Sequence, residues 1–131
     1  MSQSRSPEEL LPLTPLSIAI LLALAEEPRH GYGIIKALDA DTDGRLVPAA
    51  GTLYAALQRM VDDALIEETA VLDESGGDAR RRYYALTAFG RQVATAELRR
   101  LDRLLSLAGA RRLAPDLGLA AELRVAGERS R

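Results

Sequence analysis

Cysteine and tryptophan are absent from this 131-residue chain, phenylalanine and histidine occur once each, and aromatic residues make up only 4%. Without cysteine there are no disulfides and no thiolate metal ligands, which suits a reducing cytoplasm. So few rings exclude a large aromatic ligand cage. His30 has no second histidine near it and only scattered carboxylates, so no metal site and no cofactor are expected. No serine or cysteine is paired with a partner base, so no catalytic residue is named and no enzyme is expected. The start MSQSRSPEELLPL lacks the basic-then-apolar order of a signal peptide. The longest apolar stretch, Leu16 to Ala25, falls well short of the roughly 20 residues of a membrane span. The expectation is a soluble, cytoplasmic protein.

What is present is apolar residue in ordinary amount, 47%, and charge that is unevenly placed. The net charge is −2, yet Asp62, Asp63, Glu67, Glu68, Asp73, Glu74 and Asp78 cluster ahead of Arg80, Arg81, Arg82 and further arginines. A weakly acidic chain can therefore present a basic face. The arginines beyond Arg91 read as a solvated helix surface.

Residues 1–12 are polar and read as a flexible tail. Thr14-Pro15 marks a helix start, with Thr as N-cap and Pro at the first helical position. The helix that follows is apolar nearly all round and so is expected to be buried, ending at Pro28. His30-Gly31 makes a turn, with His30 a turn or cap residue, and a second helix runs from about Tyr32 to Ala40 with Ile34, Ile35 and Leu38 inward. A third covers about Ala50 to Asp63, with Leu53, Leu57, Met60 and Val61 inside and Thr52, Ala55, Arg59 and Asp62 outside. Leu65 to Leu72 and Arg81 to Leu86 are strand candidates around a Gly-Gly turn. Thr87 caps a fourth helix from about Ala88 to Arg112, and Pro115 ends it or opens a short terminal helix reaching about Ala126.

Three helices followed by a hairpin is the winged helix-turn-helix order. The expected fold is mainly α with a small β-hairpin: a winged-helix DNA-binding domain over 13–87, then a long C-terminal dimerisation helix and a short terminal segment over 88–131. The third helix opens Pro48-Ala49-Ala50-Gly51-Thr52, small and free of negative charge, so its N–H groups and positive dipole end can approach a phosphate. Thr52, Tyr54 and Gln58 add hydrogen-bonding groups there, and Arg59 is long enough to reach a backbone phosphate. Tyr54 can equally be a half-buried packing residue beside the hairpin, and Tyr32 either places its hydroxyl on a phosphate or packs. Arg80, Arg81 and Arg82 open the return strand, Arg80 and Arg82 on one face and Arg81 on the other. Lying along a phosphate backbone explains all three better than protection of a strand edge does. In the fourth helix Leu98, Leu101, Leu104, Leu105 and Ala108 form an apolar seam that a second copy would cover, giving two reading heads for a two-fold DNA site. The alternative function is a winged-helix protein–protein interaction module.

At these residues the chain resembles the PadR-like transcriptional regulators. HGYGIIKAL is similar to that family's HGYEIIK-type motif, AAGTLYAALQRMVDDALIEE to its recognition helix and following turn, and RRRYYALTAFGR to its wing and entry to the last helix. The resemblance covers about Leu16 to Val93. It implies a cytoplasmic, dimeric, winged-helix repressor whose DNA affinity answers to a small molecule or signal, of the branch with a single helix after the wing. It also implies DNA contacts at Tyr32, Thr52, Tyr54 and the wing arginines. Three departures stand out. Ala49 replaces a common Ser, Ala64 replaces the usual Gly where a left-handed turn is expected, and without Trp the aromatic drug-binding pore of some short members is not implied.

Overall fold

Thr14 opens the first long helix as the local chemistry requires: its Oγ1 accepts from the Ser17 N–H at 3.1 Å, and Pro15 needs no donor of its own. The computed structural model describes residues 5–72 and 80–117, the side chains of 70–72 and 80–81 excepted. Four helices are described, α1 (Pro15–Glu26), α2 (Gly31–Asp41), α3 (Ala50–Asp62) and α4 (Ala88–Ala110). A short 3-10 helix over Pro7–Leu10 precedes them. Three strands, β1 (Arg29–His30), β2 (Ile66–Leu72) and β3 (Arg80–Leu86), pair antiparallel in the order β1-β3-β2.

α1 is not buried all round as its composition suggests. Ile20, Leu21, Ala23 and Leu24 are inside, whereas Leu22 is 46% exposed, because only one side of the helix meets the rest of the core. That core joins these residues to Ile34 and Leu38 of α2, Leu53, Ala56, Leu57 and Met60 of α3, Ile66 and Tyr84 of the sheet, and Val93. At about 25 cal/mol per Å² of apolar surface removed from water, such burial is the main term holding the three helices on the sheet.

Residues 5–12 depart from the expected flexible tail. Glu9 reaches back to the Ser6 N–H at 2.9 Å, Leu10 and Leu11 pack on the core, and Arg5 donates to the Asp63 carbonyl at 2.9 Å. The polar composition hid a capping pair, Ser6 with Glu9 three residues on, and two leucines that the core accepts.

The turn after α3 survives the loss of its glycine. The Leu65 N–H bonds the Met60 carbonyl and the Ala64 N–H bonds that of Val61, both at 2.9 Å, with Ala64 in the left-handed region at φ 63°. These are the paired bonds of a Schellman helix end, in which an alanine tolerates what glycine adopts freely. Thr87 then ties the sheet to α4: its hydroxyl donates to the Ala64 carbonyl at 2.6 Å and accepts from the Gly90 N–H at 2.9 Å. Gly90 lies directly on the Leu65 carbonyl, where a Cβ would overlap backbone.

The chain divides into two units, Met1–Ala94 and Thr95–Arg131. The first holds the helices α1 to α3, the sheet and the start of α4. The second holds the rest of α4, where Glu97 is buried and grips Arg100 through both carboxylate oxygens, at 2.7 and 2.9 Å. Residues 111–117 continue past the helix end as turns, and the segment expected to reach Ala126 lies outside the described residues from 118 onward.

Candidate nucleic-acid interface

α3 presents an open front whose first turn is small and uncharged. Ala49, Ala50, Gly51, Thr52, Tyr54, Ala55, Gln58 and Arg59 are exposed, while Leu53, Ala56, Leu57 and Met60 face inward. No carboxylate lies in the first turn, and the N-cap, Ala49, offers no side-chain acceptor. Helix geometry leaves the first-turn N–H groups without intrahelical partners, so they remain available to an anion. The missing serine at position 49 thus leaves a donor-rich entrance. Gln58 donates to Asp62 Oδ1 at 3.0 Å, an exposed bond that a stronger partner could displace.

The structure brings the start of α2 beside this front. His30 caps α2, its Nδ1 accepting from the Gly33 N–H at 3.0 Å, which fixes the imidazole as an acceptor at that atom. Tyr32 is 64% exposed, its ring parallel to that of His30 at 6.4 Å. The Lys36 ammonium sits 5.6 Å from the Tyr32 ring centre. Lys36 was not singled out from the sequence, although its spacing of four from Tyr32 on one helix face was a usable signal.

β1 was also missed. It pairs Arg29 with Tyr84 and His30 with Tyr83, so the wing's return strand is stitched to the entrance of α2. His30 meets Tyr83 edge-on at 5.3 Å.

Arg82 is exposed and pairs with Glu68 at 3.9 Å. Tyr84, two residues on, is buried. Burial raises its hydroxyl pKa above the ordinary 10.0; Glu68 and Tyr54 add to the rise, and Arg82 offsets part. Arg80 and Arg81 belong to β3 by their backbones, but their side chains lie outside the described residues, as does the wing tip over 73–79. Tyr54 is 48% exposed and its phenol lies against Gly31, where a Cβ would overlap the hydroxyl. In the second unit Leu98, Leu104, Leu105 and Leu107 are exposed, and Leu101 and Ala108 are partly so.

Among the described residues no group of three or more His, Cys, Asp or Glu could hold a metal ion, and no helix is long and apolar enough to cross a membrane.

Residues 20–96 match the model of the transcriptional regulator PadR-like family. The chain is 34% identical over 77 residues to the transcriptional regulator YqjI of Escherichia coli, an alignment covering 59% of this chain and 34% of YqjI. It spans about a third or less of the length of the curated relatives it matches. Among solved structures, a PadR-like transcription factor from Bacteroides fragilis superposes with a TM-score of 0.61 at 29% identity, over 72% of this chain and 87% of that one. PadR of Bacillus subtilis, solved in complex with operator DNA, shares the fold at a TM-score of 0.58 and 22% identity, over 65% of this chain and 47% of that one. The three sequence motifs, α2, α3 and the wing fall within the matched span, and the chain belongs to the PadR-like family of transcriptional regulators.

Proposed function

We propose that the protein is a homodimeric transcriptional repressor that reads a two-fold double-stranded DNA site in the cytoplasm, its affinity set by a small-molecule effector or signal. The observation that carries DNA reading is the front of α3, exposed, built of small residues, and without a carboxylate in its first turn. A helix entering a major groove about 12 Å wide leads with its N-terminal residues, and bulk or negative charge there would bar it. In this reading Thr52 and Gln58 address base edges, Gln58 exchanging its bond to Asp62 for one to DNA. Tyr32 and Arg59 take phosphates, and Arg80, Arg81 and Arg82 lie along a neighbouring backbone. The fold shared with an operator-bound PadR supports the same approach.

Support for the homodimer comes from α4. Leu98, Leu104 and Leu105 are 41%, 50% and 36% exposed on a helix whose 3.6-residue period aligns them with Leu101 and Ala108. A second copy covering this seam would give two reading heads related by a two-fold axis. A second reading, docking on a protein, draws on the exposed carboxylates of Asp62, Glu67 and Glu68 near the end of α3. Nuclease protection of the chain's own upstream DNA separates the two. Two protected half-sites about one helical turn, 34–36 Å, or a multiple apart are expected for the dimeric reader. No protection at any concentration that saturates random duplex would refute it.

A further inference from the structure

We propose that Tyr54 serves DNA reading as a positioning residue, its phenol acting as a pin that sets α3 against the entrance of α2, to which the wing's return strand is paired. The inference rests on the DNA-reading proposal and goes beyond it by taking this tyrosine out of the contact set. Three observations support it. The phenol occupies the space in front of Gly31: a Cβ on that buried glycine would overlap the hydroxyl, and would lie 2.7 Å from Cζ and 3.2 Å from Cε1. Tyr54 also adds, after burial and Glu68, to the raised hydroxyl pKa of Tyr84, the buried tyrosine of β3. β3 is in turn paired through Tyr84 and Tyr83 with Arg29 and His30, the two residues that lead into α2.

One ring on the helix that carries Thr52 and Gln58 therefore lies against the corner where α2 begins, and that corner is paired with the strand that carries the wing arginines. Tyr54 sits in the second turn of α3, so the position of its ring sets the rotation of that helix about its own axis. A rotation of α3 moves Thr52 and Gln58 across the groove while leaving the charge of the head unchanged. Positioning of this kind has a signature distinct from phosphate contact: it changes the ratio of specific to random affinity, whereas a lost phosphate contact weakens every sequence alike.

The test measures affinity for the chain's own upstream DNA and for a random duplex across a salt series, using the full chain and its Tyr54→Phe, Tyr54→Ala and Gly31→Ala variants. Positioning predicts that Tyr54→Phe, which keeps the ring, binds both duplexes within about twofold of the parent with an unchanged log–log slope. Gly31→Ala, which displaces the ring without touching DNA, should lose about tenfold on the upstream site and little on random duplex, a ratio worth about 1.4 kcal/mol. Gly31→Ala introduced into Tyr54→Ala should cost nothing further, because the clash is gone. The proposal is overturned if Tyr54→Phe weakens both duplexes together by about threefold or more, the loss of a hydroxyl–phosphate hydrogen bond, which is uncharged and so leaves the salt slope in place. It is overturned equally if Gly31→Ala folds and retains its specificity ratio. Should Gly31→Ala fail to fold, restoration of thermal unfolding by Tyr54→Ala in the same chain supports the pin, and no restoration overturns it. A parent chain that shows no preference for its upstream DNA would refute the DNA-reading proposal itself, and that result is visible before any variant is compared.

Discussion

Replacing Ala64 with glycine should stabilise the protein by about 0.5–1 kcal/mol, against the usual direction of such a change. Ala64 closes α3 with φ at 63°, and its N–H and that of Leu65 make the two bonds of the helix end at 2.9 Å. Holding an L-residue with a Cβ in that region costs about 1–2 kcal/mol, because Cβ crowds the carbonyl oxygen. Glycine removes that cost but adds about 0.5–1 kcal/mol of backbone freedom to the unfolded chain. The Ala64 methyl is exposed, so deleting it gives up no core burial, and the difference favours glycine. Denaturant unfolding should show a higher midpoint with unchanged slope, since the surface exposed on unfolding is the same. Ala64→Val is the opposing control and should destabilise, a β-branched side chain being the worst fit to positive φ. A lower midpoint for Ala64→Gly would refute the reasoning, since it would mean that position 64 carries no left-handed strain in solution.

Gly90→Ala should cost on the order of 1–3 kcal/mol in the same assay, because the new Cβ meets the Leu65 backbone carbonyl, which has no rotamer by which to escape; a neutral result would contradict the close approach. Tyr84 has a folded pKa above 10.0, so its contribution to stability is whole below pH 10.0 and is lost as pH climbs through the higher folded value. Tyr84→Phe should flatten that alkaline fall in unfolding free energy, and a fall as steep as the parent's would exclude burial of the hydroxyl as its cause. Leu98→Glu combined with Leu105→Glu should shift sedimentation from dimer to monomer and weaken upstream binding with little change in helix content; an undiminished dimer would place the interface elsewhere.

Much of the helical frame was readable from local chemistry. Thr14-Pro15, the His30 cap and Thr87 each mark a helix start by satisfying a specific N–H, and the three predicted starts fall within a residue or two of the observed ones. The parts that were not readable depend on partners distant in sequence. Two residues have no period, so β1 exists only because β3 offers Tyr83 and Tyr84 in register. The exposure of Leu22 depends on which elements pack around α1, which composition does not specify. The front of α3 was legible because an amphipathic period assigns its faces, but whether Tyr54 packs or reaches out was not. That depends on Gly31, twenty-three positions earlier, lacking a side chain. The segment over Pro7–Leu10 had a readable signal in Ser6 and Glu9 that its polar composition outweighed.

The central claim is that two copies of this head, each led by the front of α3 and flanked by wing arginines, grip one DNA site. The salt dependence of binding to the chain's own upstream DNA tests it most directly. Neutralising Z phosphates gives a log–log slope of about −0.9Z, so a steep slope is expected, together with a clear preference over random duplex. Arg82→Ala should flatten that slope by about one phosphate on every sequence, whereas Thr52→Ala should reduce the preference and leave the slope in place. A shallow slope with no preference for the upstream sequence would contradict the account.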